Sequence, residues 1–113
     1  MKKIEAIIKP FKLSKVKEAL HEIGLSGMTV TDVKGFGRQR GQDSGILKNT
    51  DYDDEFHVKI KIELIVDDSI VDNALNSIKN AAYSGKIGDG KIFVSTIEQV
   101  LRIRTGEKDS DAV

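Results

Sequence analysis

In "KIGDGKIF", residues 86–93, lysines flank a Gly-Asp-Gly unit. Gly88 and Gly90 tolerate positive φ and Asp89 can bond its own backbone, so the stretch is turn chemistry first. Glycine turns also present backbone amides, and Lys86 and Lys91 would add cations suited to phosphate or carboxylate. Other basic residues are spaced suggestively: Arg38 and Arg40 in "GFGRQRG", and Lys59 and Lys61 on one face of "KIKIELIV". Arg102 and Arg104 share a face if "LRIRT" is extended. Brought together, these groups would form a polyphosphate site, with Lys91 and the turn amides facing phosphate and Lys86 a solvated end. Left apart, they are solvated surface charges.

Enzyme constellations are thin. His21 falls on the polar side of a helix and His57 at a loop exit. Neither has a partner at metal or triad spacing, so both are expected to be solvated. No GxSxG, HExxH or Walker lysine motif occurs. "GFGRQRG" is not a dinucleotide fingerprint, because its spacing is wrong and no helix opens after it. The lack of cysteine excludes a disulfide framework, a thiol nucleophile and a zinc-thiolate site. Charges balance, Lys+Arg 18 against Asp+Glu 18, where a dedicated nucleic-acid binder usually shows a basic excess. Aromatic residues are 5%, too few for a base-stacking platform unless Phe36, Phe56 and Phe93 converge. No apolar run is long enough to cross a bilayer and no signal pattern opens the chain, so a cytoplasmic protein without membrane insertion is expected.

The elements that must position these residues follow from periodicity. The 113 residues fit one domain, and 39% hydrophobic with 32% charged residues is ordinary for a soluble globular chain. Residues 3–9 alternate, with Ile4, Ala6 and Ile8 on one side, and read as a strand ended by Pro10. Ser14 stands where a helix N-cap belongs. Val16, Ala19, Leu20 and Ile23 make its apolar stripe and Gly24 its stop. Residues 28–34 read as a second strand. From 35 to about 55 the pattern vanishes, and a structureless loop of that length is normally functional. Residues 56–66 alternate most clearly. Ser69 with Asp72 resembles a capping box opening a second helix that Gly85 stops, and "KIFVS" is a fourth strand. A mobile polar tail is expected from about 105 to 113. The order β-α-β-loop-β-α-β predicts an α+β ferredoxin-like βαββαβ sandwich with one open sheet face. Ile7 and Ile65 on that face, beside Lys59, Lys61 and Glu63, hint at burial against another subunit.

Five blocks carry a family resemblance: "KKIEAIIKPFKL" at 2–13, "GMTVTDVKGFGRQRG" at 27–41, "KIKIELIV" at 59–66, "GKIGDGKIFV" at 85–94 and "RIRTGE" at 102–107. On these the chain closely resembles the PII family of nitrogen-regulatory signal-transduction proteins over nearly its whole length. The resemblance implies a non-enzymatic homotrimer that binds ATP or ADP in clefts between neighbours, and 2-oxoglutarate only with Mg-ATP in place. It also implies that the long loop, the T-loop at about 37–55, docks onto targets. These include an ammonium channel and modifying or metabolic enzymes, with no nucleic acid involved.

Carried over by position, Ile7, Gly27, Met28, Thr29, Gly35, Phe36, Gly37, Arg38, Glu63, Leu64 and Ile65 would line the nucleotide site. Gly88, Asp89, Gly90, Lys91, Arg102 and Arg104 would hold the phosphates and adjoining groups. Gln39 matches the residue that helps coordinate Mg and 2-oxoglutarate, and Lys59 the one that pairs with a 2-oxoglutarate carboxylate. The loop departs from the common pattern: "QDSGILKNTDYDDEFHV" is about one residue longer. Tyr52 falls where enterobacterial relatives are uridylylated, which makes it a candidate modification site. Thr50 falls near a serine that cyanobacterial relatives phosphorylate. The usual channel-plugging arginine is absent in register, Lys48 being the nearest cation. His57 and Val58 replace a more usual apolar-Pro or apolar-Gln pair. A paralogue serving a dedicated partner, a transporter or nitrogenase regulation, is the alternative within the family. An RNA-recognition module lacks its aromatic strands, and an acylphosphatase lacks its Arg-Asn phosphate loop.

Overall fold

The computed structural model describes residues 1–36 and 57–113. The calls on Gly37, Arg38, Gln39, Arg40, Lys48, Thr50, Tyr52 and Phe56 lie outside the described residues. The described strands are β1 (Lys2–Ile8), β2 (Thr29–Gly35), β3 (His57–Val66) and β4 (Lys91–Thr96), and the helices are α1 (Leu13–Glu22) and α2 (Val71–Ala82). The sheet is antiparallel in the order β2-β3-β1-β4, so β1 and β3 are central and β2 and β4 are edges. This is the expected ferredoxin-like arrangement.

Alternation explains the two central strands. Ile4, Ala6 and Ile8 from β1, and Ile60, Ile62, Leu64 and Val66 from β3, are buried. They meet Val16 and Leu20 of α1, and Ala74, Ile78 and Ala82 of α2. Each valine, leucine or isoleucine among them contributes about 1.5–3 kcal/mol on full burial. Val58 falls on the same alternation yet is exposed, as are Val30 and Val94 on the edge strands.

Gly24 takes φ +87 at the end of α1. The Leu25 amide donates to Leu20 O at 3.0 Å and the Gly24 amide to His21 O at 3.0 Å, a Schellman ending. The expected starts differ. A 3-10 turn over Pro10–Lys12 runs directly into α1, so Ser14 lies inside the helix and caps nothing. Proline suits that first turn, since its missing N–H would be unpaired there anyway. A 3-10 turn over Asp68–Ile70 likewise leads into α2 with no side-chain cap, so the Ser69–Asp72 capping box is absent. Nor does Gly85 stop α2: the helix ends at Ala82 and Tyr83 is already extended.

The second sheet face is charged. Glu5 stands directly opposite Glu63 in the β1–β3 register, a like-charge pair that alone would be unfavourable. Diagonal lysines relieve it: Lys3 Nζ lies 2.9 Å from Glu63 and Lys61 Nζ 3.6 Å from Glu5. Hydrogen bonding with Glu63 raises the Lys3 pKa, and the same bond lowers that of Glu63. Ile7 and Ile65 on this face are half-buried.

The C-terminal segment doubles back. The Arg102 amide donates to Glu107 O at 2.9 Å and the Asp109 amide to Val100 O at 2.8 Å, with Leu101 bridged to Lys108. The residues expected to form a mobile tail thus close a small hairpin and end in a 3-10 turn over Asp109–Ala112.

Candidate functional site

The chain leaves α2 and turns through residues 84–90 before β4. Gly88 and Gly90 have φ +98 and +101. A Cβ on Gly90 would sit 1.7 Å from the carbonyl oxygen of Ile7, so only glycine lets the turn press this closely on β1. The Asp89 carboxylate ties the turn from inside. It accepts from the Ser84 amide at 2.8 Å, the Gly85 amide at 2.9 Å and the Ser84 hydroxyl, and pairs with Lys9 Nζ at 3.2 Å. Burial pushes its pKa up, but the Ser84, Lys9 and Gly85 hydrogen bonds outweigh burial and hold it well below the usual carboxylate range. Asp89 was expected beside the phosphates. Its carboxylate instead belongs to the turn's scaffold, because those donors already claim its oxygens.

Beside this turn lies a cavity of ≈ 650 Å³ between the end of β2, the start of β3 and β4. Ile7, Gly35, Phe36, Lys59, Gly88, Asp89, Gly90 and Lys91 line it, all expected site residues. Lys59 is the one buried charged side chain among the described residues. Its Nζ donates to Gly88 O at 2.7 Å, a charge-assisted bond that offsets the cost of taking an ammonium out of water. Lys59 therefore joins the strand to the glycine turn across the cavity wall. A Cβ on Gly35 would already touch Lys59 Cγ at 3.4 Å, so the small residue on β2 makes room for that side chain.

The cavity holds more than the sequence indicated. Lys86, expected to be a solvated end, lines it with Lys91. Ile87 and Phe93 add apolar wall. His57 also lines it, and its Nε2 is buried with no hydrogen-bond partner, which corrects the expectation of a solvated histidine. His21 is exposed, as expected. The available signal was alternation: His57 and Lys59 are two apart on β3 and so share a face. What alternation cannot show is that the turn before β4 comes back over that face.

The remaining expected residues lie elsewhere. Gly27, Met28, Thr29, Glu63, Leu64 and Ile65 line a second cavity of ≈ 590 Å³ with Lys3, Ile97, Gln99 and Val100. Lys59 and Glu63 are four residues apart on β3, roughly 13 Å. Within this chain the expected nucleotide residues that line cavities therefore fall into two separate groups. Arg102 and Arg104 line neither cavity. Residues 103–105 form a turn, so the extended-strand argument for a shared arginine face does not apply. Arg102 reaches Glu107 at 3.6 Å and Ala112 O at 3.3 Å, and Ile103 at the tip is 98% exposed. Among the described residues no His, Asp or Glu group is arranged to hold a metal, and no helix is long and apolar enough to cross a membrane.

Chemically, the described residues of the first cavity offer three lysines, a glycine-rich turn and an apolar wall, with their one carboxylate already engaged. That composition suits an anion carrying carbon, not a cation. Comparison with known proteins gives the family. The family model described as nitrogen regulatory protein P-II matches residues 1–107. The chain is similar to nitrogen regulatory protein P-II of Azospirillum brasilense, 58% identical over 113 residues and covering 100% of both chains. It is similar to nitrogen regulatory protein P-II 1 of Escherichia coli (strain K12), 56% identical with the same full coverage. Among solved structures, the crystal structure of Arabidopsis thaliana PII bound to citrate matches with a TM-score of 0.82 and 39% identity, covering 99% of this chain and 91% of that one.

Proposed function

The chain belongs to the nitrogen regulatory protein P-II family, and we propose that it is a non-enzymatic cytoplasmic sensor of ATP, ADP and 2-oxoglutarate that acts on target proteins through residues 37–55. The observation that carries the ligand reading is the first cavity, where the buried Lys59 and the exposed Lys86 and Lys91 flank a glycine turn beside an apolar wall. ATP and a dicarboxylate are both strongly anionic, and a shared site needs clustered cations. In this reading Lys59 exchanges its Gly88 bond for a carboxylate of 2-oxoglutarate. Gln39 with phosphate and diacid oxygens would hold Mg, which supplies charge neutralisation between the two ligands.

The division of the expected residues supports a homotrimeric reading. Each cavity is an open cleft on one subunit, and a nucleotide lying between neighbours would use the first cavity of one and the second of the next. Arg102 and Arg104 would reach the phosphates from the exposed C-terminal hairpin. A population shift between loop states, biased by which ligands are bound, would then select partners.

Calorimetry tests this. Micromolar-range ATP binding is expected, with 2-oxoglutarate uptake only after Mg-ATP is added. Lys59→Ala should abolish 2-oxoglutarate binding and largely spare ADP. Diacid binding without nucleotide, or no ATP binding at all, would overturn the reading.

A further inference from the structure

We propose that His57 is a ligand-recognition residue of the first cavity, its Nε2–H donating a hydrogen bond to a carboxylate of a bound small dicarboxylate alongside the Lys59 ammonium. The inference rests on the functional reading above and names a residue that reading does not use.

The observation behind it is an unpaired polar atom in a defined place. His57 Nε2 is buried from water and bonded to nothing. Buried polar atoms are almost always paired, so an unpaired Nε2 on a residue that lines the cavity marks a place for a partner. His57 opens β3 opposite Gly35, whose missing side chain makes room for the Lys59 stem on that wall. Two residues on, Lys59 occupies the same face, which sets imidazole and ammonium side by side along the strand.

The chemistry of the surroundings selects the partner. Among the described residues, the ionisable groups lining the cavity with His57 are Lys59, Lys86, Lys91 and Asp89. The lysines are donors only, so they cannot satisfy an imidazole N–H. Asp89 is an acceptor, but Ser84, Gly85 and Lys9 already occupy it. Among the described residues of the lining, no side chain is left to accept from Nε2–H, and a ligand can bring that acceptor. A carboxylate fits, because it offers several lone-pair sites and can accept from His57 and Lys59 together. Ile7, Phe36, Ile87 and Phe93 give the carbon chain behind it an apolar surface. Imidazole is planar and its N–H has a fixed direction, so His57 would orient the carboxylate where a flexible lysine only attracts it.

The test uses the full chain saturated with Mg-ATP and titrates 2-oxoglutarate into the wild type, His57→Leu and His57→Gln by calorimetry. ATP alone is titrated in parallel. His57→Leu should lose about tenfold or more in 2-oxoglutarate affinity, the scale of one hydrogen bond to a charged group. His57→Gln keeps an amide donor and should retain most of it, and ATP affinity should stay within about twofold in both. In wild-type protein carrying ¹⁵N-histidine, the Nε2 resonance should move when 2-oxoglutarate is added. Wild-type diacid affinity in His57→Leu, a parallel loss of ATP and diacid binding in both variants, or an unmoved Nε2 resonance would overturn the assignment. If the wild type takes up no diacid with Mg-ATP present, the functional reading itself fails and the assignment falls with it.

Discussion

The Asp89 carboxylate meets donors from Ser84, Gly85 and Lys9, and its negative charge is what all of them recognise. Because the folded chain holds this group below its ordinary pKa, the contribution to stability is fully present above the usual carboxylate range of about 4. It is lost as pH falls through the lower folded value. Asp89→Asn should therefore cost about 1–3 kcal/mol at pH 7, by leaving donors poorly matched. The gap between variant and wild type should hold at pH 5 and narrow below about pH 4. Urea unfolding at pH 7, 5 and 3 measures it, and a gap that grows on acidification would show that the charge is not what stabilises the turn. The turn itself was legible in the sequence, since Gly-Asp-Gly has few other uses. The inward direction of Asp89 was not, because Lys9 lies just past the end of β1, eighty residues earlier in the chain.

At the level of elements, alternation served β1 and β3 well, because both are central and covered by helices on one face only. Edge strands were harder to delimit. β2 is exposed over most of its length and runs one residue past the expected end, to Gly35. Helix starts misled for a shared reason: serine at a plausible cap position cannot be told from serine inside a helix when a 3-10 turn supplies the first bonds. Ser14 and Ser69 were both misplaced in this way. A distinguishing expectation follows for α1. A capping serine costs about 1 kcal/mol when replaced by alanine. Ser14 is exposed within the helix, so Ser14→Ala should change stability by less than about 0.5 kcal/mol or stabilise slightly, alanine being the better helix former. Chemical denaturation with equal slopes for both proteins checks this, and a loss near 1 kcal/mol would restore Ser14 as a cap.

For the whole molecule, the family blocks in the sequence named candidate site residues but not their division between two cavities. Gly27–Thr29 and Gly88–Lys91 are near neither each other nor a common cleft within one chain. Sequence position alone treats them as one set, because it carries no subunit boundary. On the proposed trimer, two crippled chains should repair one another. Thr29→Arg would fill the second cavity, and Lys91→Glu would put a like charge at the phosphates of the first. Neither variant alone should bind ATP, whereas trimers co-refolded from a mixture should recover a fraction of sites by calorimetry. Failure of the mixture to bind, with both variants still trimeric in sedimentation, would mean that each nucleotide is held within one chain.

The bond from Lys59 to Gly88 bears on how such a sensor would be tuned. A ligand reaching this ammonium does not meet an idle charge. It competes with a partner present at fixed proximity, and the free energy it gains is the difference between the two bonds. Occupancy then tracks the ligand's abundance over a working range instead of saturating at traces, and the Gly88 carbonyl is ready to reclaim the lysine when the ligand grows scarce. The same contact that shelters the charge thus acts as a threshold setting, and Lys59→Arg, which keeps the charge and changes its reach, should slide that threshold more readily than it removes the response.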